Sequence, residues 1–423
     1  MSSFLLRLRV LLFSSVFMFI ATVSAQNPPE GIPSTLTLDT ATEILLVANP
    51  TLLRAREDIS ISRADVATAR ALPNPDFEVN SESYPLFESH PGPFLNNQEL
   101  VVRAAQTLET AGKRDKRARV AQQNVAVAQA GLQDTVRQLK LELRQRYYAV
   151  VLAKAEANLA QDILKQFDEI IRLNQARFDQ GEVSGLDLAR VQTERLRFFN
   201  DATSANLQLK NAKVALLELL GTRNVTTEFD VSENLRFQPF RRDLQNVVEE
   251  SLETRPDLVA ERQRLERERR QVTLEKANGV PNITPFCGYK RDFGTNTAAM
   301  GFSIPLPIFN RNQGGVARAS AQEAQQRYQV ERAELGVRRE IQQALQTVET
   351  QEERVKALEG GYLDSAQKAR DIAQASYRLG ALDLVAFLDA ERAYRETLRT
   401  YYEALFDHQI ALFQLSAATG KEL

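Results

Sequence analysis

The sequence is poor in the residues that carry redox and metal chemistry. It has one cysteine, Cys287, two histidines, no tryptophan and three methionines in 423 residues. One cysteine cannot close an intramolecular disulfide. A metal site made from His, Cys or Met would be short of ligands, so neither a resident metal nor another cofactor is expected. No nucleophile–base constellation stands out, and Gly314-Gly315 lacks the spacing and the lysine of a phosphate loop, so an enzyme is not expected. The formal net charge is −2, which excludes a strongly basic nucleic-acid binder. After residue 25 no stretch approaches 18 consecutive apolar residues, so no transmembrane helix is expected. What remains, at 43% hydrophobic residues, is enough to build a packed structure.

Residues 1–25 read as a secretory signal. Arg7 and Arg9 form the positive start, Val10 to Ala21 the apolar stretch, and Val23-Ser24-Ala25 the small-x-small cleavage pattern. Gln26 follows, where a lipidated protein would carry cysteine. Residues 26–48 read as a proline-rich tether (Pro28, Pro29, Pro33) and a short helix.

Proline is absent from two long runs, Phe94 to Gln238 and Ile308 to the end. Since proline costs about 3 kcal/mol inside a helix, these runs are permissive for long helices. They also carry the apolar spacing of a twisted, coiled-coil-like stripe. Leu132, Val136, Leu139, Leu143, Tyr147 and Val150 are followed by Leu159, Ile163, Phe167 and Ile170. Each run breaks once. Gly181 and Gly380 sit where a helix-ending glycine belongs, and Ser184, Asp187 and Asp383 suit the start of the next helix. Both breaks read as turns between antiparallel helices.

The chain repeats itself. Pro50 to Pro256 is an offset of 206, Pro73 to Pro281 one of 208, and Gly181 to Gly380 one of 199. Two halves, 49–221 and 255–423, share one plan, joined by a connector and short helix at 222–254. The first half is expected to hold strands at about 76–84 and 98–107, a long helix at about 109–180 and a helix at about 182–220. The second should hold strands at about 283–293 and 297–307, a long helix at about 312–379 and a helix at about 382–418. The helix of about 50–72 and that of 182–220 together match the long helix in length, giving each half one continuous and one composite arm.

The strands alternate. Phe77, Val79 and Ser81 interleave with Glu78, Asn80 and Glu82, and Ala298, Met300 and Phe302 interleave with Ala299, Gly301 and Ser303. Such alternation fits outer-membrane strands and equally fits a soluble hairpin on a helical stalk. Four strands cannot close a barrel and open edges are not tolerated in lipid, so membrane insertion would require oligomerisation.

With these features in order, the chain resembles the outer-membrane efflux proteins of the TolC type, over roughly Leu36 to Leu415. The resemblance rests on the duplicated plan, the two glycine turns followed by Leu-Asp-Leu, Ala390-Glu391-Arg392, and the stretch Phe302 to Gly315. That stretch, with Gln106 to Arg114, resembles the cobalt–zinc–cadmium branch. The resemblance implies a mainly α fold with a small membrane β-barrel. Long antiparallel coiled-coil helices would form a periplasmic tube, and four strands per protomer would contribute to a twelve-stranded trimeric barrel. It also implies a homotrimer in the outer membrane of a Gram-negative bacterium, with a periplasmic adaptor and a proton-driven inner-membrane pump as partners. No lipidated cysteine is present, so anchoring would rest on the barrel.

For such a duct the residues of interest are those of a gate. Asp383 and Asp389 follow the second turn and would form acidic rings in a trimer, which attract cations. By resemblance, Asp389 matches an acid of the family's entrance constriction, whereas a second family acid falls on Ala386. Asp383 also reads simply as a helix cap. Asp187 and Tyr377 form a second candidate pair, a phenol–carboxylate bond pinning the turns closed. Gly181, Gly185, Leu186, Gly380 and Leu382 mark the turns as the adaptor's docking surface. Lys113, Arg114, Lys116, Arg117 and Arg119 crowd a helix start, with Arg311 and Arg318 in the equivalent region, and call for negative partners. Phospholipid headgroups and neighbouring acids both fit. Tyr84, Phe87 and Phe94 suit an aromatic girdle or a loop cap. His408 reads as a satisfied packing histidine. A duct for divalent heavy-metal cations, a duct for peptide or protein secretion, and a periplasmic coiled-coil structural or adaptor protein all remain open.

Overall fold

The computed structural model describes residues 32–83, 98–223, 226–240 and 247–421. The expected signal segment, His90, Tyr84, Phe87 and Phe94 lie outside these residues.

Strand β1 (Thr35–Leu36) leads into α1 (Leu38–Ala48) and α2 (Pro50–Arg70). Antiparallel strands β2 (Asp76–Glu82) and β3 (Glu99–Ala105) precede α3 (Lys113–Asp179) and α4 (Gly185–Leu220). Strand β4 (Asp230–Val231) lies in the connector between the halves and pairs in parallel with β1. The short helix α5 (Val247–Thr254) ends the connector, and the second half holds α6 (Pro256–Asn278), β5 (Thr284–Asp292) and β6 (Thr295–Ser303). It closes with α7 (Gln313–Ala357), α8 (Leu363–Arg378) and α9 (Leu384–Thr419). The protein is therefore mainly helical.

Helix α3 has 67 residues, about 100 Å at 1.5 Å per residue, and needs partners along its whole length. Helices α2 and α4 both pack on it, as do α6 and α9. The two composite arms are joined alike. Asn49 caps α2 by accepting the Leu52 N–H at 3.1 Å, and its amide donates to the Leu219 carbonyl at the end of α4, at 2.7 Å. In the second half Arg255 precedes α6 and donates to the Ala418 carbonyl near the end of α9, at 2.8 Å. Arg255 is almost fully buried, and its charge is met by Asp257 and Glu340.

The apolar stripe of α3 is the core. Leu143, Tyr147 and Val150 are completely enclosed among α1, α4 and β4, and the Tyr147 hydroxyl donates to the Leu36 carbonyl at 2.8 Å. Ile163, Phe167 and Ile170 form a second core with Val191, Phe198, Ala373, Tyr377 and Phe387 near the turns.

Three boundaries depart from the sequence reading. Helix α3 starts at Lys113 rather than near 109, because Ala111 and Gly112 have positive φ (54° and 63°) and break the helical path. Strand β6 starts at Thr295 and stops at Ser303 rather than spanning 297–307. A two-residue turn at Phe293-Gly294 (φ 42° and 91°) pairs Asp292 with Thr295, while Pro305 and Pro307 cannot extend a ladder. The second long helix is not continuous over 312–379. A π-helical turn, Leu358–Tyr362, interrupts it, with Gly361 at φ 146°. Helix α3 carries no such break, so the halves differ here.

The four longer strands form one antiparallel sheet in the order β2-β3-β5-β6. Its register sorts the side chains. Phe77, Ala104, Cys287 and Met300 share one row, and Val79, Val102, Tyr289 and Ala298 share the next row on that face. The opposite face carries Glu78, Arg103, Gly288 and Ala299, then Glu82, Glu99, Asp292 and Thr295. Ion pairs Arg103–Glu78 and Lys290–Glu99 cross that polar face. On the apolar face Phe77 and Met300 are 73% and 80% exposed in the single chain, so among the described residues this face has no partner.

Candidate functional site at the helix tips

The two helix turns are built alike. The Gly181 N–H donates to the Phe178 carbonyl and the Glu182 N–H to the Arg177 carbonyl, both at 2.9 Å. At the second turn Gly380 N–H reaches Tyr377 (3.0 Å) and Ala381 N–H reaches Ser376 (2.9 Å). These are paired helix-ending bonds around a left-handed residue, and the glycines have φ of 77° and 76°. Ser184 caps α4, accepting from the Asp187 N–H at 3.1 Å, and Asp383 caps α9, accepting from the Ala386 N–H at 2.7 Å. Asp383 thus has a structural task whatever else it does.

The turns are tied to each other by two residues that sequence reasoning missed. Arg177, from the first tip, donates to the Tyr377 and Arg378 carbonyls of the second at 3.2 and 2.6 Å. Asn174 is completely buried, and its side-chain carbonyl accepts the Tyr377 hydroxyl at 2.7 Å. The Tyr377 ring stacks on Phe387, with centroids 5.1 Å apart. Burial pushes the Tyr377 hydroxyl's pKa up, against the opposing effect of the Asn174 bond. The expected phenol–carboxylate pin is therefore not what this protomer forms. Asp187 accepts instead from the Ser184 hydroxyl at 2.7 Å. A signal for Asn174 and Arg177 was available: they continue the stripe Phe167, Ile170 at the next helical steps, where apolar residues would be the norm.

Around the tips, Leu186, Leu379 and Val385 are exposed, whereas Leu382 packs into the tip core and Gly185 opens α4. A groove between α4 and α9 is lined by the apolar Leu186, Leu384, Val385 and Leu388 together with Arg190, Asp389 and Arg392. Asp389 is exposed and pairs with Arg392 at 3.0 Å.

At the other end, the basic cluster divides. Lys113 is buried and donates to the Val280 carbonyl at 2.6 Å and to Asn282, and burial lowers its pKa. Arg117 pairs through both terminal nitrogens with Glu109 at 2.6 and 3.0 Å, which holds the Glu109 carboxyl below its ordinary range. A protein acid, not a lipid, answers that arginine. Lys116 donates to the Ala111 carbonyl at 2.6 Å, and Arg311 to the Pro307 carbonyl at 3.2 Å. Arg114, Arg119, Arg311 and Arg318 are exposed.

This architecture is that of outer-membrane channels. It superimposes on a crystal structure of CusC with a TM-score of 0.75 at 20% identity, covering 91% of this chain and 92% of that one. A crystallised membrane protein from Pseudomonas aeruginosa gives 0.76 at 21% identity, covering 90% and 93%. The cobalt-zinc-cadmium resistance protein CzcC of Cupriavidus metallidurans is 25% identical over 369 residues, spanning 86% of this chain and 85% of that protein. The sequence profile of the outer membrane efflux proteins matches residues 42–222 and 247–421, and the chain belongs to that family. It is accordingly a protein of the outer membrane that extends into the periplasm.

Proposed function

We propose that three copies of this chain form the exit duct of a tripartite efflux system, passing divalent heavy-metal cations from a proton-driven inner-membrane pump and a periplasmic adaptor to the exterior. The observation that carries this reading is the two-faced sheet. Its apolar rows, Phe77 to Met300 and Val79 to Ala298, are suited to lipid, and its charged rows to water. Among the described residues, strands β2 and β6 each have one free edge, which lipid does not tolerate. Three such sheets closing edge to edge give a twelve-stranded barrel above a helical tube. The cation assignment is supported by the likeness to CzcC.

The far ends of the hairpins are the gate in this reading. Asp383, Asp389 and Asp187 lie at the constriction, with Asp389 an exposed acid of a threefold ring, and Tyr377 holds the tips together from behind them. Gly181, Gly185, Leu186, Gly380 and Leu382 shape the apices that the adaptor grips, and the apolar side chains lining the α4–α9 groove give it purchase. At the membrane end, Arg114 and Arg311 face lipid headgroups with Lys116, while Lys113 and Arg117 hold strand to helix from within.

The test is a deletion of the gene, with tolerance to zinc, cobalt and cadmium measured alongside cellular metal content. The proposal expects lower tolerance and raised metal content, both restored by the intact gene. Unchanged tolerance to all three metals contradicts the substrate assignment.

A further inference from the structure

His408 is an exception to the rule that buried polar groups are bonded. It is completely enclosed on α9, and among the described residues neither ring nitrogen has a hydrogen-bond partner. Its closest ring neighbour is Phe237, which meets it edge-on with centroids 5.1 Å apart. Phe237 belongs to the connector between the two halves, residues 226–240 of which run as a strap across both hairpins. On the first hairpin the strap is held by the β1–β4 pairing and by Asp230, bonded to Lys154 at 2.7 Å. On the second it is held by Leu235 and Phe237, which pack against Val355, Ala404 and Leu405. Glu352 has its carboxyl held below the ordinary range, first by Lys356 and in lesser part by the Phe240 backbone.

We propose that His408 is a proton-operated fastener for this strap: the neutral imidazole seats Phe237, and protonation releases residues 235–240 from the α7–α9 seam. The charged groups around the ring make the case. Glu352 and Lys356 face it from α7, and they are bonded to each other at 2.6 Å. Asp407, next to it on α9, pairs with Arg354 of α7 at 2.9 Å. Both acids are already engaged, and the strap offers the ring a phenylalanine. An imidazolium here has two N–H donors, and among the described residues neither ring nitrogen is hydrogen-bonded.

Burial lowers the His408 pKa, opposed by Glu352 and reinforced by Lys356. With the folded value below the ordinary 6.5, the ring stays neutral in the fastened state and takes up its proton on release. Fastening is therefore fully favoured above about pH 6.5 and weakens as pH falls below it. Leu358, the first residue of the π-helical turn, lies in the same cluster, so release also unloads the one interruption in the second long helix.

The protein has two histidines, which makes a direct test simple. In the full-length His90→Gln protein, carbon-13-labelled imidazole gives a single signal to titrate. Its midpoint is expected below 6.5; a midpoint at or above 6.5 overturns the proposal. In parallel, amide-exchange protection of residues 235–240 is measured from pH 7.5 to 5.5. Protection in the wild type should fall by up to about tenfold, the limit for one group with a released-state pKa near 6.5. The His408→Phe protein should show no such fall. Protection indifferent to pH in the wild type, or falling equally in His408→Phe, overturns it. Should His408→Phe fail to fold, the wild-type titration and exchange decide the matter alone.

Discussion

The hydroxyl of Tyr377 donates to the side-chain carbonyl of Asn174 across 2.7 Å, joining the second helix tip to the first through a buried, uncharged hydrogen bond. A neutral pair enclosed in this way is little screened by salt, unlike a surface ion pair. Tyr377→Phe leaves the Asn174 oxygen buried without its partner, at a cost of about 1–3 kcal/mol. The tips should then part more readily, seen as faster proteolysis near residues 181 and 380. Asp187→Ala should change proteolysis much less, since Asp187 bonds to Ser184 instead. Equal effects of the two substitutions would contradict the assignment.

Arg177 holds the same two tips by a different means, through the carbonyls that end α8. Charged donors to backbone carbonyls contribute about 1.5–3 kcal/mol. Arg177→Met keeps the stem and removes both bonds. It should loosen the tips at least as much as Tyr377→Phe. The combined variant should exceed either alone, measured by amide exchange at residues 374–382.

Glu391 gives a pH dependence whose sign is opposite to that of most carboxylates. It is 5% exposed, and burial raises its pKa, opposed by Arg370 and Arg395. An acid whose folded pKa lies above its unfolded value stabilises the fold fully below the unfolded value. That contribution is lost as pH rises through the folded value. Glu391→Gln should therefore raise the melting temperature at pH 8 and leave it nearly unchanged at pH 4. A variant less stable at pH 8 would show that the charged form is the one the fold requires.

Much of this architecture was legible in the chain because it rests on local chemistry. Left-handed glycines at 181 and 380 end helices wherever they occur, and the stripe from Leu132 to Ile170 names the face that α3 buries. What was not legible depends on residues brought together from distant segments. The bond from Asn49 to Leu219 and that from Arg255 to Ala418 form only when two short helices meet end to end. The Tyr377 hydroxyl chose Asn174 over Asp187, which no spacing specifies. The π-helical turn at Leu358–Tyr362 came from Gly360-Gly361 inside an otherwise regular pattern, a break that adjacent glycines permit without announcing. His408 was read as a satisfied packing residue; it packs, but among the described residues its nitrogens have no hydrogen-bond partner.

The most direct measurement is the conductance of the purified protein in a planar bilayer, compared with that of Asp389→Ala. Asp389 pairs with Arg392 at 3.0 Å in an exposed setting, where such pairs contribute about 0–1 kcal/mol and open readily. With the acid removed, Arg392 remains at the same level of the tube. Discrete single-channel steps that prefer cations, with the preference reduced or reversed in the variant, are the predicted result. Folded oligomers that give no steps would contradict the duct itself, and steps with the same cation preference in both proteins would contradict the placement of its acidic ring.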